Sequence, residues 1–403
     1  MSSGKDAAMP VARITNPGRD RYQAIALSSI WELKVIRAAQ ALVVGAGALG
    51  NEVSKNLAMM GVKRIVIIDR DTVEVSNLSR SVFFREADHG SPKADVLCDR
   101  LRELNPDVDV IGISGDVDGA LGLGVVRRMD MIFSCLDNRM ARRSLNRMCQ
   151  KMAKSWVDGS MENLLGDVTA FLPDQGPCYE CLMTQNDKEI TAKAFSCTGV
   201  ALRNLSVGRV PTTSTMGSII AGLQVQEALK LLHGDAKGSL AGSRLVVNCE
   251  INDFYRTSAE RKEECEGHFR YGEVTEVPEW RSDSITPLDI LERYEADTGT
   301  KGHLRLGREI VVTMHCPVCN TEAVSGEPLR LVSLEKSLCP SCNTARDLKT
   351  TNVVAGSEAY ARETLKQLGT PLLDIIEARG HGGSVWYEIT GDAETLLWES
   401  VGG

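Results

Sequence analysis

At 403 residues, with 43% hydrophobic and 25% charged side chains, the chain is long enough for two or three globular domains and too mixed for a fibrous or disordered one. A net charge of −8, from 46 basic and 54 acidic residues with no long basic run, argues against a general nucleic-acid binder. No apolar stretch is long enough to span a bilayer, and the opening MSSGKDAAMP lacks the apolar core of a secretory signal, so a cytoplasmic protein is expected.

Residues 1–18 read as a flexible N-terminus. Residues 19–40 read as helical, with Ile25, Leu27, Ile30, Leu33 and Ile36 on an apolar face that begins after Arg21. The short run Ala41 to Val44 then reads as a buried strand, the glycine turn Gly45-Ala46-Gly47-Ala48-Leu49-Gly50 follows, and Asn51 to Met60 reads as a helix. A second buried strand, Lys63 to Ile68, ends at Asp69, nineteen positions after Gly50. This is a βαβ nucleotide-binding unit. Its glycines allow the backbone to approach phosphates, its helix N-terminus favours their charge, and Asp69 sits where a carboxylate would hold ribose hydroxyls. The turn alone leaves NAD, FAD and ATP open.

The alternation continues with a helix from about Pro92 to Leu104, a strand at 108–114, a short helix at 119–128, a strand at 130–135 and a helix to Lys151 that is rich in Arg and Met. A strand follows at 155–161, and a further strand, 167–172, leaves the parallel series. The expected fold class is α/β, a doubly wound Rossmann-like sheet. The stretch Pro173 to Pro211 has little periodicity and reads as a functional loop, a crossover of about 174–212. Residues 213–233 form a strong helix and 243–256 return to strands. The charged segment 257–285 reads as a linker, and 286–403 as a small C-terminal α+β module containing a zinc ribbon.

Twelve cysteines in a reducing compartment need a role other than disulfides. Cys178-x-x-Cys181, Cys316-x-x-Cys319 and Cys339-x-x-Cys342 are three close pairs, and Cys265-x-x-His268 is a mixed one. Cys316, Cys319, Cys339 and Cys342 have zinc-ribbon spacing, with nineteen residues between the pairs. A redox CxxC is the rival reading, and the duplication argues against it.

Asp69 is followed by Ser76-Asn77-Leu78-Ser79-Arg80, Lys93 and Asp137-Asn138. With Arg21 and the glycine turn, this set resembles the adenylating domain of the ThiF/MoeB and ubiquitin-activating enzyme family, over about Arg21 to Tyr255. The resemblance implies an enzyme that uses ATP and Mg²⁺ to activate a carboxylate. Gly45, Gly47, Gly50, Asp69 and Asn77 would bind the nucleotide, Arg80 and Lys93 would meet its polyphosphate, and Asp137 would hold Mg²⁺ directly or through water. Arg21 would reach the nucleotide of a neighbouring subunit, which implies a homodimer with composite sites. Cys178 and Cys181 resemble the family's first zinc half-site. Cys265 and His268 would complete it, although the family usually has a second CxxC there.

Cys197, within Phe195-Ser196-Cys197-Thr198, occupies the crossover loop where activating enzymes carry a catalytic cysteine. The resemblance implies thioester formation there with a ubiquitin-like protein ending in glycine, then transfer to a ubiquitin-conjugating-type enzyme. It is strongest to bacterial members found in ubiquitin-like conjugation operons, some linked to phage defence. Sulfur-carrier activation of the ThiF/MoeB type is the alternative, for thiamine, molybdopterin or cysteine synthesis. A Rossmann oxidoreductase and a non-catalytic zinc-ribbon adaptor are the readings from other classes.

Overall fold

The computed structural model describes residues 21–185, 187, 211–235 and 238–393. The apolar runs form an eight-stranded sheet in the order β3-β2-β1-β4-β5-β6-β7-β8. Its strands are β1 (Gln40–Val44), β2 (Arg64–Asp69), β3 (Asp109–Ser114), β4 (Met131–Ser134), β5 (Trp156–Glu162), β6 (Leu165–Phe171), β7 (Ser243–Asn248) and β8 (Asp253–Ser258). The first five are parallel, and β6, β7 and β8 add on antiparallel. β1 and β2 show no alternation of apolar and polar side chains. Their interiors are apolar throughout because helices cover both faces of the sheet.

The N-terminal helices are α1 (Gln23–Ala26) and α2 (Leu33–Ala38), with α3 (Ala48–Met60) and α4 (Lys93–Leu104) after them. Then come α5 (Val117–Ala120), α6 (Leu123–Arg128), α7 (Arg139–Lys151), α8 (Tyr179–Leu182) and α9 (Ser214–Leu232). On one face Val53 and Leu57 of α3, Leu97 and Leu101 of α4, and Ile220 and Val225 of α9 pack on the sheet. On the other, Val125 and Val126 of α6 and Leu145 and Met148 of α7 do so. The layers are those of a doubly wound α/β domain. Two expected helices are broken. The segment 19–40 is interrupted after α1, where the Ser28 hydroxyl accepts the N–H groups of Ile30 and Trp31 and competes with the helix. The segment 119–128 divides at Gly122.

Gly122 divides it because the C-terminal part of the chain packs there. A Cβ on Gly122 would lie 2.2 Å from the Leu372 carbonyl oxygen, and one on Gly124 would lie 2.6 Å from that of Leu373. The second sheet contains β9 (Val274–Glu276), β10 (Gly302–His315), β11 (Glu322–Val324), β12 (Asp347–Val354), β13 (Ile375–Gly380) and β14 (Gly383–Glu388). It runs β11-β10-β13-β14-β9, with β12 also paired to β10. Two helices accompany it, α10 (Pro287–Thr298) and α11 (Leu334–Ser337). α10 starts with a capping box between Thr286 and Asp289 and stops at left-handed Gly299.

The stretch expected as a linker is therefore only partly one. β9 pairs parallel with β14, so the chain enters the second sheet at Val274, ahead of residue 286. Leu373 and Ile375 share a core with the α6–α7 face of the first sheet. Fully buried Glu388 pairs with Arg127 at 2.8 Å and Arg128 at 2.7 Å, and Asp374 accepts the Leu123 N–H at 2.9 Å while pairing with Arg308 at 2.8 Å. Among the described residues, no helix is long and apolar enough to cross a membrane.

Candidate functional site

The strand order reverses between β1 and β4, and a crevice beyond the C-terminal ends of the strands is where such sheets hold ligands. Gly45 leaves β1 at that point with φ +100°, and a Cβ there would press on the Cys135 carbonyl oxygen at 2.5 Å. A Cβ on Gly50 would fall 1.8 Å from the Gly45 oxygen. Both glycines are required by the protein's own close approach of turn, helix and β4. Gly47 differs: its φ is −74°, and among the described residues a Cβ there would meet nothing within 4 Å. The open space lies at the N-terminus of α3, where backbone N–H groups and the helix dipole favour an anion. The glycine turn thus has the shape of a phosphate cradle.

Asp69, at the end of β2, accepts the Ala46 N–H through Oδ2 at 2.6 Å and the Asp71 N–H through Oδ1 at 2.7 Å. Burial raises its pKa, and the two N–H bonds and Lys93 work against that rise. The carboxylate therefore ties the glycine turn to the β2 exit and retains lone pairs for a ligand. Lys93, at the start of α4 and largely buried, pairs with Asp71 at 3.0 Å. Asp71 is its anionic partner across the loop.

Buried Asn77 accepts the Glu74 N–H through Oδ1 at 3.1 Å, closing a one-turn 3₁₀ helix, and Arg80 folds back on the Ser76 carbonyl at 2.7 Å. Asp137 follows β4, is exposed, and has no protein partner among the described residues. An exposed carboxylate at a strand's C-terminal end is a suitable Mg²⁺ ligand. Glycine turn, Asp69, Lys93 and Asp137 thus emerge at one edge of the sheet, from β1, β2, α4 and β4.

Arg21 lies elsewhere. Its guanidinium donates to the Leu104 carbonyl at 3.3 Å and to Asn105 Oδ1, at the C-terminal end of α4. That is about 18 Å, twelve helical residues, from Lys93 at the other end. Cys197 lies outside the described residues.

Two cysteine cages form. Cys178, Cys181, Cys265 and His268 offer ligand atoms that all lie within 4.8 Å of one another, as do Cys316, Cys319, Cys339 and Cys342. A tetrahedral zinc with bonds of about 2.3 Å to sulfur requires S···S edges of about 3.8 Å. In the first cage Cys178 Sγ is 3.8 Å from Cys181 Sγ and 3.7 Å from Cys265 Sγ, and Cys181 Sγ is 3.3 Å from His268 Nε2. In the second the Cys316–Cys342 and Cys339–Cys319 distances are 3.6 and 4.0 Å. Both donor sets fit zinc with no open position.

The electrostatics agree with cation binding. Burial and the neighbouring Cys181 push the Cys178 thiol up to about 12, whereas burial of Cys181 is outweighed by hydrogen bonds from Lys262 and Cys178, which hold it below its ordinary value; a bound cation would favour the thiolate of both. Burial and Arg261 hold His268 below its ordinary value, which favours the neutral ring a metal takes. In the second cage the backbone N–H groups of Ser341 and Cys342 bring Cys339 down to about 6.

Sequence reading missed the support of the first cage. Glu180, between Cys178 and Cys181, is buried and held by Arg143 Nε at 2.9 Å and by Arg147 at 2.7 and 3.0 Å. It also missed the buried pair of Arg142 with Asp158 at 3.0 Å, at the start of the same helix. The arginine-rich composition of α7 was the available signal, but it did not say which arginine faces which carboxylate.

The chain is 36% identical over 191 residues to a SAMP-activating enzyme E1 of Haloferax volcanii, a match covering 47% of this chain and 66% of that protein. It is 28% identical over 234 residues to the molybdopterin-synthase adenylyltransferase of Escherichia coli, covering 58% and 88%. It is 35% identical over 147 residues to SUMO-activating enzyme subunit 2 of Dictyostelium discoideum, covering 36% of this chain and only 22% of that protein. The chain thus spans less than two thirds of the first and third of these relatives. The crystal structure of E. coli MccB with ATP shares the fold, with a TM-score of 0.51, 18% identity, and coverage of 63% of this chain and 75% of that one. A profile of the ThiF family matches residues 21–267, more than half of the sequence, and the chain belongs to that family.

Proposed function

We propose that the chain is an activating enzyme for a ubiquitin-like protein, adenylating the carboxylate at its C-terminal glycine. A carboxylate oxygen attacks the α-phosphorus of ATP, the bond to the β-phosphate oxygen breaks, and pyrophosphate leaves. Cys197 then attacks the acyl carbon, releases AMP, and carries the acyl group as a thioester to a conjugating-type enzyme. The observation that supports the first step is the open glycine cradle at Gly47 beside Asp69, Lys93 and Asp137. Mg²⁺, bound through Asp137, would neutralise the polyphosphate, and Arg80 and Lys93 would add positive charge to it.

The placement of Arg21 at the far end of α4 agrees with its acting on a partner subunit's nucleotide, in a homodimer. Zinc in each cage would be structural, and a cytoplasmic location suits the abundance of free cysteine. The E. coli relative, named a molybdopterin-synthase adenylyltransferase, supports a second reading in which the substrate is a sulfur carrier.

ATP–pyrophosphate exchange with carriers of both kinds tests the proposal, followed by non-reducing electrophoresis. Exchange that survives Cys197→Ala, together with a thiol-sensitive adduct that does not, is the expected result. No exchange with any glycine-terminated carrier overturns adenylation, and an adduct that persists in the variant overturns the role of Cys197. A conjugate passed to a conjugating-type enzyme favours the first reading, and sulfur loading of the carrier favours the second.

A further inference from the structure

The geometry points to Arg142 as the residue that positions Asp137, an inference that rests on the adenylation reading. Arg142 lies in the first turn of α7, with a side chain 11% exposed. Its Nη2 donates to the Leu136 carbonyl at 2.6 Å and to the Gly159 carbonyl at 3.1 Å, while Nε donates to Asp158 Oδ1 at 3.0 Å. Leu136 is the residue immediately before Asp137. Asn138, immediately after it, caps α7 by accepting the Ala141 N–H at 2.7 Å. The backbone is thus held on both sides of Asp137 by the same helical turn, and the carboxylate itself is left outward.

The opposite face of the sheet is pinned as well. Gln224 of α9 donates through Nε2 to the carbonyls of Ser134 at 3.0 Å and Val157 at 3.3 Å, fixing the ends of β4 and β5. A Cβ on Gly159 would overlap the Gln224 amide at 2.4 Å, so the glycine is what lets β5 come this close.

A buried ion pair is weak as a stabiliser, because desolvation offsets its Coulomb energy and an apolar pair of similar volume often does as well. A planar guanidinium, however, delivers directed donors to fixed acceptors, which lysine cannot reproduce. Three directed bonds at the root of an exposed carboxylate serve geometry more than stability. Asp158 anchors the guanidinium, the guanidinium anchors Leu136, and Leu136 sets the direction of Asp137. Arg142 is a positioning residue: it acts through the Leu136 backbone, one residue before the carboxylate.

The test is calorimetric binding of ATP to the full chain, with and without Mg²⁺, in wild type and in Arg142→Lys. If Arg142 positions the metal ligand, the variant loses about 10-fold of the affinity gain that Mg²⁺ confers, within the usual range for residues that orient metal ligands. Its Mg²⁺-free ATP affinity stays within about twofold of wild type, well under the 1.4 kcal/mol of a tenfold change. Asp158→Asn, which keeps the shape and weakens the anchor, is expected to move in the same direction and serves if the lysine variant fails to fold. An unchanged Mg²⁺ gain in the folded variant overturns the inference. Equal loss with and without Mg²⁺ also overturns it, since that marks a general structural role. Wild type that does not bind ATP overturns the adenylation reading, and this inference with it.

Discussion

The two cysteine cages have similar geometry and opposite architecture. The first joins residues 87 apart, Cys178 and Cys265, and fastens α8 to a segment beyond the last strand of the first sheet. Its three cysteines are buried, and Glu180 is clamped beneath it by Arg143 and Arg147. The second cage joins residues 26 apart, Cys316 and Cys342, with Cys319 and Cys342 half-buried. Its knuckles are nearly self-sufficient: Asn320 and Asn343 take left-handed conformations after each pair, and their N–H groups return to the Cys316 and Cys339 carbonyls at 2.9 and 2.8 Å. One cage is a staple across a domain and the other is a local fold. Ligand spacing alone therefore does not reveal what a metal site holds together.

Removing one ligand from each cage is the harshest way to break this comparison. Cys181→Ser is expected to lower global stability by about 4 kcal/mol, as loss of a structural metal does. Cys342→Ser is expected to cost at least about 1 kcal/mol less, from the shorter loop alone, and to unfold the ribbon locally. Chemical denaturation with hydrogen-exchange mapping distinguishes the two. Equal global losses would remove the contrast.

Glu180→Gln tests the clamp without touching a ligand. The loss expected is about 3 kcal/mol, because Arg143 and Arg147 would face a neutral amide in a buried site. Burial works to raise the Glu180 pKa, but hydrogen bonds and charge from Arg147 and Arg143 outweigh it and hold the group below its ordinary 4.5. A carboxylate depressed on folding adds stability that is present above the unfolded value and disappears as pH falls through the folded one. Wild type is therefore expected to lose stability below about pH 4.5, with the glutamine variant less sensitive over that window. Parallel acid profiles for the two proteins would contradict the clamp.

The parts of this architecture legible in the sequence are those fixed by local spacing. The glycine turn and each close cysteine pair lie within a few residues of chain, and the turn forms where the sequence puts it; that the Cys178 pair meets Cys265 and His268, 87 residues on, is implied by the family resemblance rather than by spacing. Partners chosen across the fold were not legible. Nothing in the order of α7 says that Arg142 turns to Asp158 in β5 while Arg143 turns to Glu180 in α8, since that depends on how the helix is rotated against the sheet. The sequence points Lys93 to phosphate, and its pairing with Asp71 emerges only when the loop closes. The charged stretch 257–285 looked like a linker because β9 has only three residues, too short for a periodicity signal, and is held by β14, more than a hundred residues later.

Adenylation requires the turn between β1 and α3 to be open for the phosphates of ATP. The direct measurement is ATP affinity and thermal stability of Gly47→Ala. Among the described residues a methyl at Gly47 would meet no atom within 4 Å, and its φ of −74° is negative, as alanine requires, so the melting temperature should match wild type. ATP affinity should fall at least about 10-fold, because the methyl would occupy the space the phosphates need. Unchanged ATP affinity in this variant would mean that the phosphates do not sit at Gly47.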